Sequence, residues 1–330
     1  MSRGFSRCEC GVFLISVIIA TFDRAEALNS ISLPCLLKQS CCFFEVILWD
    51  ASDNKLSEQI SAKWQSEFVE KDIDLRYYKA PRKGSSSQRN DAVAEARGEV
   101  IFFMDDDTEI SPTTLSVLQN TFTCFPWLRG AAVPVIEQAD RLQRSEHSFL
   151  RRFLGWIFFG TQTVQRIMRA STVQRMPAQD LPGGAEWLST CCFAARKSVF
   201  EDLRFDERFE FFSAYARYED VDFSHRVFLH YKKPLLVVGG AFAMHHETAG
   251  IRNKGDAVSF IAQGFYNSYL LKENFSEYRR VPPCSFFWEQ RIARFFVLTA
   301  GGYKPSTIFK GFKEYRKALR QNCSASRCSS

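Results

Sequence analysis

Three consecutive carboxylates follow a short apolar run near residue 100. The run Val-Ile-Phe-Phe-Met at 100–104 has the length of one buried strand, and Asp105, Asp106 and Asp107 come directly after it. Ligand sites of α/β proteins lie outside the carboxyl ends of such strands. Neighbouring carboxylates repel one another, and a hard divalent cation would remove that repulsion and hold phosphates as well. The pattern therefore predicts a metal site with a phosphate-bearing ligand, and an acidic, solvated turn is the alternative.

The elements that must position these carboxylates alternate between strand and helix. Apolar runs predict strands at 12–20, 44–49, 75–78 and 100–104, and helical spacing predicts helices at 23–39, 55–69, 85–96 and 113–121. Pro34 interrupts the first helix, and Gly98 is a natural C-cap for the third. This alternation predicts the α/β class, with a mainly parallel central sheet covered by helices.

The alternation breaks down after Val135. Gly183-Gly184 predicts a turn, residues 187–194 and 235–238 predict strands, and residues 259–272 and 286–299 predict amphipathic helices. We therefore expect four parts, at 1–135, 136–180, 181–255 and 256–330, of which the second is a basic amphipathic insertion and the fourth a helical extension.

Charge is unevenly distributed along the 330 residues. Residues 141–175 carry seven Arg against one Glu, and residues 252–330 carry fourteen Lys or Arg against five acids, in a chain of net charge +6. The rest of the chain is therefore acidic, which is typical of a metal-loaded site beside surfaces that attract phosphate-rich partners. The 11 Cys match no zinc spacing, which favours free thiols in a reducing cytosol.

Five segments, taken in chain order, resemble those of family-two glycosyltransferases. They are Val-Ile-Ile-Ala-Thr-Phe-Asp-Arg at 17–24, Val-Ile-Leu-Trp-Asp-Ala-Ser-Asp at 46–53, Gly-Ser-Ser-Ser-Gln-Arg-Asn at 84–90, Phe-Phe-Met-Asp-Asp-Asp at 102–107, and Phe-Asp-Glu at 205–207 with Tyr-Glu-Asp-Val-Asp-Phe at 218–223. The ordered set covers about residues 12–250. The resemblance implies a GT-A (nucleotide-diphospho-sugar transferase) fold with additional C-terminal helices, a nucleotide-sugar donor and an inverting transfer. It makes residues 1–135 the nucleotide-sugar-binding half and residues 181–255 the acceptor-binding and catalytic half.

The resemblance also implies which residues bind the donor. Asp50 would contact the nucleobase, and the loop with Thr21, Asp23 and Arg24 would line the base and ribose. Arg89 and Asn90 would lie near the pyrophosphate or ribose. Asp105 and Asp107 would hold the ribose and a metal, whereas Asp106 points the other way in an extended segment and would bond its neighbours. A solvated loop at Asp50, a helix N-cap at 21–24 and an exposed helix face at Arg89 and Asn90 are the structural alternatives.

A histidine of His245-His246 would complete the metal shell or contact the diphosphate, although the sequence does not say which of the two faces the site. An imidazole ligand suits Mn²⁺ better than Mg²⁺, and the cofactor is expected to be Mg²⁺ or Mn²⁺. The alternative is one core and one surface histidine.

The acceptor side follows from the same resemblance. An inverting transfer needs a carboxylate to take the proton of the acceptor hydroxyl, and the family places it in the Glu219-Asp220 motif. Asp220 is the first candidate and Glu219 the second, with Asp222 orienting the helix. Trp187 and Gly184 lie where the family recognises the acceptor, and Trp187 would stack on a sugar ring. A helix N-terminus rich in acids and a core Trp are the alternatives.

Partners and location are expected from the remaining features. We expect a glycan or lipid-linked acceptor in bacterial surface polysaccharide synthesis, no nucleic acid, and a cytoplasmic protein without an exported leader or membrane span. Arg beside aromatic residues at 149–170 and 284–299 predicts peripheral attachment to the inner membrane, with packing helices as the alternative. A nucleotidyltransferase, and more distantly a nucleic-acid-binding protein, are the competing functions.

Overall fold

A large mixed sheet forms the centre of the protein. The computed structural model describes residues 13–41, 43–137, 182–246, 256–278, 292 and 294–327. The sheet strands are β1 (Ile15–Thr21), β2 (Phe44–Asp50), β3 (Asp74–Lys79), β4 (Val100–Met104), β6 (Gly130–Ala132), β8 (Gly183–Ala185), β9 (Cys192–Arg196) and β10 (Leu235–Val237). Their order is β3-β2-β1-β4-β9-β6-β10-β8. Only β9 and β8 run against the other six strands, so the expected mainly parallel sheet is confirmed.

Helices cover both faces of this sheet because its strands are apolar on both sides. Val17 of β1 and Phe102 of β4 belong to one core cluster, and their neighbours Ile18 and Phe103 belong to a second on the opposite face. The helices before β10 are α1 (Ala25–Ala27, a π turn at Leu28–Ser32 and Leu33–Leu37), α2 (Leu56–Glu70), α3 (Ser85–Glu95), α4 (Thr114–Cys124), α5 (Val199–Asp202) and α6 (Glu219–Tyr231), with a 3-10 turn at Glu207–Glu210.

A second, three-stranded sheet closes the edge near the acidic cluster. It contains β5 (Thr108–Ile110), β7 (Val135–Glu137) and β11 (Ala243–His245), in the order β5-β11-β7. Strand β5 begins directly after Asp107, and β11 runs antiparallel to it, with His245 opposite Thr108. This pairing connects two segments that are more than 130 residues apart in sequence.

The C-terminal part forms a layer of helices with its own core. Helix α7 (Ala257–Ser276) packs against α6 and against α9 (Pro305–Arg327), and α8 (Arg294–Ala300) packs on α9. Asp256 caps α7 by accepting hydrogen bonds from the backbone N–H groups of Val258 and Ser259. Within the described residues, no helix combines the length and the apolar character needed to cross a membrane.

Three sequence predictions are wrong at glycines and at a strand boundary. Gly98 is not a left-handed C-cap: α3 ends at Glu95, and Gly98 lies where a Cβ would come within 2.6 Å of the Leu14 carbonyl oxygen. The Gly183-Gly184 turn is instead the edge strand β8. The strand predicted at 187–194 begins only at Cys192, because residues 187–191 form the loop that approaches α6.

The predicted helix over 23–39 is confirmed, with a π turn before the segment that begins at Leu33 and accommodates Pro34. Residues 138–181 lie outside the described part, and so do the basic insertion and the membrane segment predicted at 149–170. Of the segment predicted at 284–299, the described part comprises residues 292 and 294–299. The described cysteines, Cys35, Cys41, Cys124, Cys191 and Cys192, are free thiols.

Candidate active site

Three potential metal ligands meet at the carboxyl end of β4. One carboxylate oxygen each of Asp105 and Asp107 and one ring nitrogen of His245 lie within 4.8 Å of one another. His245 Nε2 is 3.1 Å from Asp107 Oδ1 and 3.9 Å from Asp105 Oδ2. Asp107 and His245 are buried, whereas Asp105 is partly exposed. The cluster therefore has one side open to a ligand.

The small sheet decides which histidine faces the acids. The alternation of side chains along β11 turns His245 towards Asp107. His246, one residue later, hydrogen-bonds through Nε2 with Glu109 Oε2 at 3.0 Å, and its backbone N–H donates to the Asp107 carbonyl oxygen. The choice that the sequence left open therefore falls on His245, and His246 lies outside the cluster.

Arg24, from the loop after β1, pairs with the carboxylates of Asp106 and Asp107. Its Nη1 donates to Asp106 Oδ1 and Asp107 Oδ2, both at 2.8 Å. The Thr21 hydroxyl donates to Asp106 Oδ2 at 2.7 Å. Burial raises the pKa of Asp106 to about 7, although the Arg24 charge opposes that shift. Asp106 thus bonds the β1 loop and shares the Arg24 guanidinium with Asp107. Residues 106 and 107 form a turn, so the alternation expected of an extended segment does not apply to them.

A second pair of carboxylates lies at the start of α6. Tyr218 precedes the helix in a left-handed conformation (φ 70°), which costs a bulky residue of order 1–2 kcal/mol. Glu219 and Asp220 open the helix, and Asp220 Oδ1 accepts a hydrogen bond from the Val221 backbone N–H. Strain of this kind persists only where the surrounding structure enforces it.

Arg89 of α3 joins the two acidic groups. Its Nη1 donates to Glu219 Oε1 at 2.9 Å and its Nη2 to Asp105 Oδ1 at 3.3 Å, and the guanidinium is buried. One side chain therefore bridges the metal-like cluster and the pair on α6, so that both lie in one site. Ser85, at the start of α3, also donates to Glu219.

Burial shifts the titration of the α6 pair. It raises the pKa of Glu219 to about 7, and the neighbouring Asp220 charge acts in the same direction while Arg89 opposes it. Burial also raises the pKa of Asp220, against hydrogen bonds from Val221 and Ser189. Carboxylates whose pKa is raised towards neutrality are suited to act as general bases.

The predicted nucleobase contact, Asp50, is fully buried at the end of β2. Its carboxylate accepts hydrogen bonds from the backbone N–H of Ser52 at 2.9 Å, from the Ser52 hydroxyl, and from the Tyr77 hydroxyl at 2.8 Å. In the adjacent loop, the Asp23 backbone N–H donates to the Ser52 hydroxyl at 2.8 Å, and Asn54 donates to the Asp23 carboxylate. Asp50 therefore fixes the loop that carries Arg24.

Three other predicted residues lie apart from this cluster. Asn90 donates to the Phe205 carbonyl oxygen at 2.9 Å and accepts from its N–H at 3.0 Å, and it also donates to Glu207 at 3.1 Å, which attaches α3 to the start of the 3-10 turn. Trp187 is only 6% exposed and packs in the C-terminal core, so stacking on a sugar would require that face to open. Gly184 lies on the exposed edge strand β8, opposite Leu236.

One buried polar network behind the pair has no signal in the sequence. Asp222 bonds Arg226 through Nε and Nη2, at 2.8 and 2.6 Å, and accepts from Asn274 Nδ2 of α7 at 2.7 Å. The same amide nitrogen donates to Asp206 Oδ2 at 2.9 Å, and Arg208 donates to Asn274 Oδ1. Helix α7 is thus bonded to the first turn of α6 across 52 residues of sequence.

The described cluster fits a divalent cation in its donor set. Two carboxylates and one imidazole match Mn²⁺ better than Mg²⁺, and the open side next to Asp105 leaves room for ligands from a bound molecule. Arg24 supplies the neighbouring positive charge that lets the buried carboxylates of Asp106 and Asp107 persist here.

Comparison with known proteins agrees with this geometry. The sequence model of glycosyl transferase family 2 matches residues 16–204, more than half of the chain. The cholesterol galactosyltransferase of Borreliella burgdorferi is 28% identical over 108 residues, which are 33% of this chain and 29% of that protein. The match therefore spans less than a third of that relative.

Solved structures share the fold at low sequence identity. The mannosyltransferase PcManGT from Pyrobaculum calidifontis, in complex with GDP-Man and Mn²⁺, has a TM-score of 0.54 and 12% identity, and the similarity covers 96% of this chain and 81% of that one. S. aureus TarS 1–349, in complex with UDP-GlcNAc, has a TM-score of 0.53 and 15% identity over 92% of each chain. The expected GT-A fold is confirmed. The match over more than half of the chain favours glycosyl transfer over the nucleotidyltransferase alternative, and the chain belongs to glycosyl transferase family 2.

Proposed function

We propose that this enzyme transfers a sugar, with inversion, from a nucleotide-diphosphate donor to a hydroxyl of a glycan or lipid-linked acceptor, and that it depends on Mn²⁺ or Mg²⁺. The observation that carries the proposal is the Arg89 bridge between Asp105 and Glu219. This bridge joins the cluster of potential metal ligands to the Glu219–Asp220 pair, and a metal and a base are the two chemical parts that such a transfer requires.

The donor half of the site is assigned to residues 1–135. Asp105, Asp107 and His245 would hold the cation, which supplies charge neutralisation for the departing diphosphate. Thr21, Asp23 and Arg24 would line the base and ribose beside Asp50. Arg24 would also bind the donor phosphates, because its guanidinium lies against Asp107, one of the proposed metal ligands.

The acceptor half is assigned to residues 181–255, and residues 256–330 support it. Asp220 is the first candidate for the base that takes the acceptor proton, and Glu219 the second. Arg89 already neutralises Glu219 directly at 2.9 Å, whereas the described carboxylate contacts of Asp220 are hydrogen bonds from Val221 and Ser189. A neighbouring cation stabilises the charged form of a carboxylate, so the direct Arg89 pairing makes Glu219 a weaker proton acceptor than its burial alone would.

A lipid-linked acceptor of bacterial surface polysaccharide synthesis, used at the cytoplasmic face of the membrane, is the acceptor class that we favour. The curated relative is named for a lipid acceptor, cholesterol, although its similarity covers 29% of its length. Lipid-linked glycan precursors present a sugar hydroxyl close to a membrane, which suits a protein with basic surfaces.

A donor screen tests the proposal. The purified protein is incubated with single nucleotide sugars, with Mn²⁺, with Mg²⁺ or with a chelator, and the release of nucleoside diphosphate is measured. We expect slow hydrolysis of at least one donor, lost in chelator and in Asp107→Asn. Glu109→Gln is the matched control, because Glu109 lies two residues away and pairs with His246 outside the cluster.

Two results would contradict the proposal. One is donor turnover that persists in chelator. Turnover by Asp107→Asn at the same rate as by Glu109→Gln counts equally, because either would show that the reaction does not depend on a metal held by Asp107. Once an acceptor is found, NMR of the product's anomeric proton decides the stereochemistry, and a retained configuration would exclude the direct displacement assisted by Asp220.

A further inference from the structure

The outer side of α9 is strongly basic. The solvent-facing residues of this helix include Lys310, Lys313, Arg316, Lys317 and Arg320, and we call these five with Phe309 the basic face. Between residues 296 and 330, Glu314 is the single acidic residue of the sequence. It lies 2.7 Å from Lys317, so it offsets one of the five cations. The formal charges of the basic face and Glu314 together sum to about +4.

The opposite side of the same helix is already occupied. Ile308, Tyr315 and Ala318 are buried in the C-terminal core, and the rings of Phe312 and Tyr315 pack on Phe265 of α7. At Gly311 the two helices approach so closely that a Cβ would lie 2.6 Å from Ile261 Cγ2. Since its apolar side is anchored in this way, α9 presents its cations outward from a rigid base.

Two aromatic rings are exposed beside these charges. Phe309 is 65% exposed, the largest value among the exposed large apolar side chains of the described residues, and Phe296 of α8 is 48% exposed. Phe295 connects them, with ring centroids 6.0 Å from Phe296 and 5.8 Å from Phe309. In contrast, Arg294 turns inward, donates to the Ser268 hydroxyl and stacks over Phe265.

We propose that the basic face, together with Phe296, docks on an anionic phospholipid surface. Positions 309, 313, 316 and 320 lie on one stripe of a helix, so one exposed ring and three cations of that stripe meet a flat surface together. Phospholipid headgroups supply the negative charge, and the interfacial region accepts aromatic rings. Single-stranded nucleic acid instead needs a groove with stacked aromatic platforms, whereas this face is the convex side of one helix.

Co-sedimentation of the full chain with lipid vesicles tests the docking. We expect binding to vesicles that contain phosphatidylglycerol, none to vesicles of phosphatidylcholine alone, and loss of most binding between about 50 mM and 500 mM salt, because screening removes the charge attraction. Each cation near an anionic surface strengthens binding about fivefold, so Lys313→Glu with Arg316→Glu should weaken it by roughly 10²-fold or more.

Matched variants separate the basic face from net charge. Lys232→Glu with Lys233→Glu makes the same change in net charge at two exposed lysines after α6, and should retain binding. Phe309→Ser should weaken binding about tenfold while keeping its salt dependence, because it removes the inserted ring and no charge. Circular dichroism of each variant verifies the fold.

Three outcomes would overturn the proposal. They are no pelleting with anionic vesicles at low salt, equal pelleting with neutral vesicles, and equal loss in the two double variants. Tighter binding of a single-stranded RNA oligomer than of vesicles, lost in the α9 double variant, would assign the face to nucleic acid and would also overturn it. None of these measurements depends on sugar transfer, so the proposed function stands or falls separately.

Discussion

Replacing Arg24 with methionine should destabilise the metal-free protein more than any surface arginine would. The Arg24 side chain reaches both Asp106 and Asp107 at 2.8 Å, and both carboxylates are almost completely buried. Removing one partner of a buried ion pair costs about 3–5 kcal/mol, because the remaining charge is left without compensation. Two neighbouring carboxylates lose their cation here, although Thr21 and His245 still contact them. We therefore expect a loss of about 3 kcal/mol in the free energy of unfolding.

The assay is urea unfolding in the presence of a chelator, with Arg97→Met as the matched control. Arg97 also forms an ion pair at 2.8 Å, with Asp74, and both side chains are substantially exposed. Its second partner, the buried Glu45, is 3.8 Å away and keeps Arg76 at 2.6 Å, so the loss of Arg97 should cost less than about 1 kcal/mol. Addition of Mn²⁺ should narrow the gap between Arg24→Met and the unmodified protein, since the cation supplies positive charge to the same carboxylate. A ligand at a hundred times its dissociation constant stabilises by about 2.7 kcal/mol.

The reasoning would be refuted by an Arg24→Met protein as stable in chelator as Arg97→Met. If Mn²⁺ leaves the difference in free energy of unfolding between Arg24→Met and the unmodified protein unchanged, the prediction about the cation is refuted. The cation would then bind elsewhere than at Asp107.

Three further predictions concern catalysis. Asp220→Asn keeps the shape of the side chain and removes its basicity, so donor binding should survive while transfer falls by roughly 10²-fold or more; if Glu219→Gln shows this loss instead, the roles of the two are reversed. Burial raises the pKa of Glu219 to about 7 and also raises that of Asp220, so this pair takes up a proton as the pH falls. We therefore expect kcat/KM to decrease below about pH 7. A kcat/KM that stays constant from about pH 5 to 8 would contradict this. Asn274→Leu removes the amide that holds Asp222, so kcat should fall about tenfold with little change in donor KM. The control is Asn267→Leu on the same helix, which loses a hydrogen bond to the Arg217 carbonyl oxygen. This control should lower the stability of the protein and leave kcat unchanged.

The strands of the donor half could be predicted to within about three residues, because a strand buried on both faces is a continuous apolar run. The short strands could not. Gly183–Ala185 has no apolar run that would predict a strand. It joins the sheet through its backbone pairing with β10, which the sequence does not indicate. Gly98 is glycine for a close approach to β1 and not for a left-handed turn, and a single sequence does not distinguish the two.

Within the site, the acidic motifs could be recognised and their partners could not. The run of three aspartates identifies the end of β4, but only the fold shows that Arg24 and Arg89 approach it from different loops and helices. The Asp222–Asn274 contact joins residues whose separation carries no periodic signal. The family resemblance predicts Trp187 at the acceptor, whereas the side chain is buried in the C-terminal core.

The paired histidines have a consequence for how the site tolerates insertions and deletions. Strand β11 is three residues long and is held in register by β5 on one side and β7 on the other. Slipping a strand by one residue moves each side chain to the opposite face. Because imidazoles occupy both 245 and 246, a loss of one residue upstream of β11 would bring His246 to the position facing Asp107 and leave the set of donor atoms intact. With two adjacent histidines, either of two neighbouring registers of β11 would present an imidazole to Asp107.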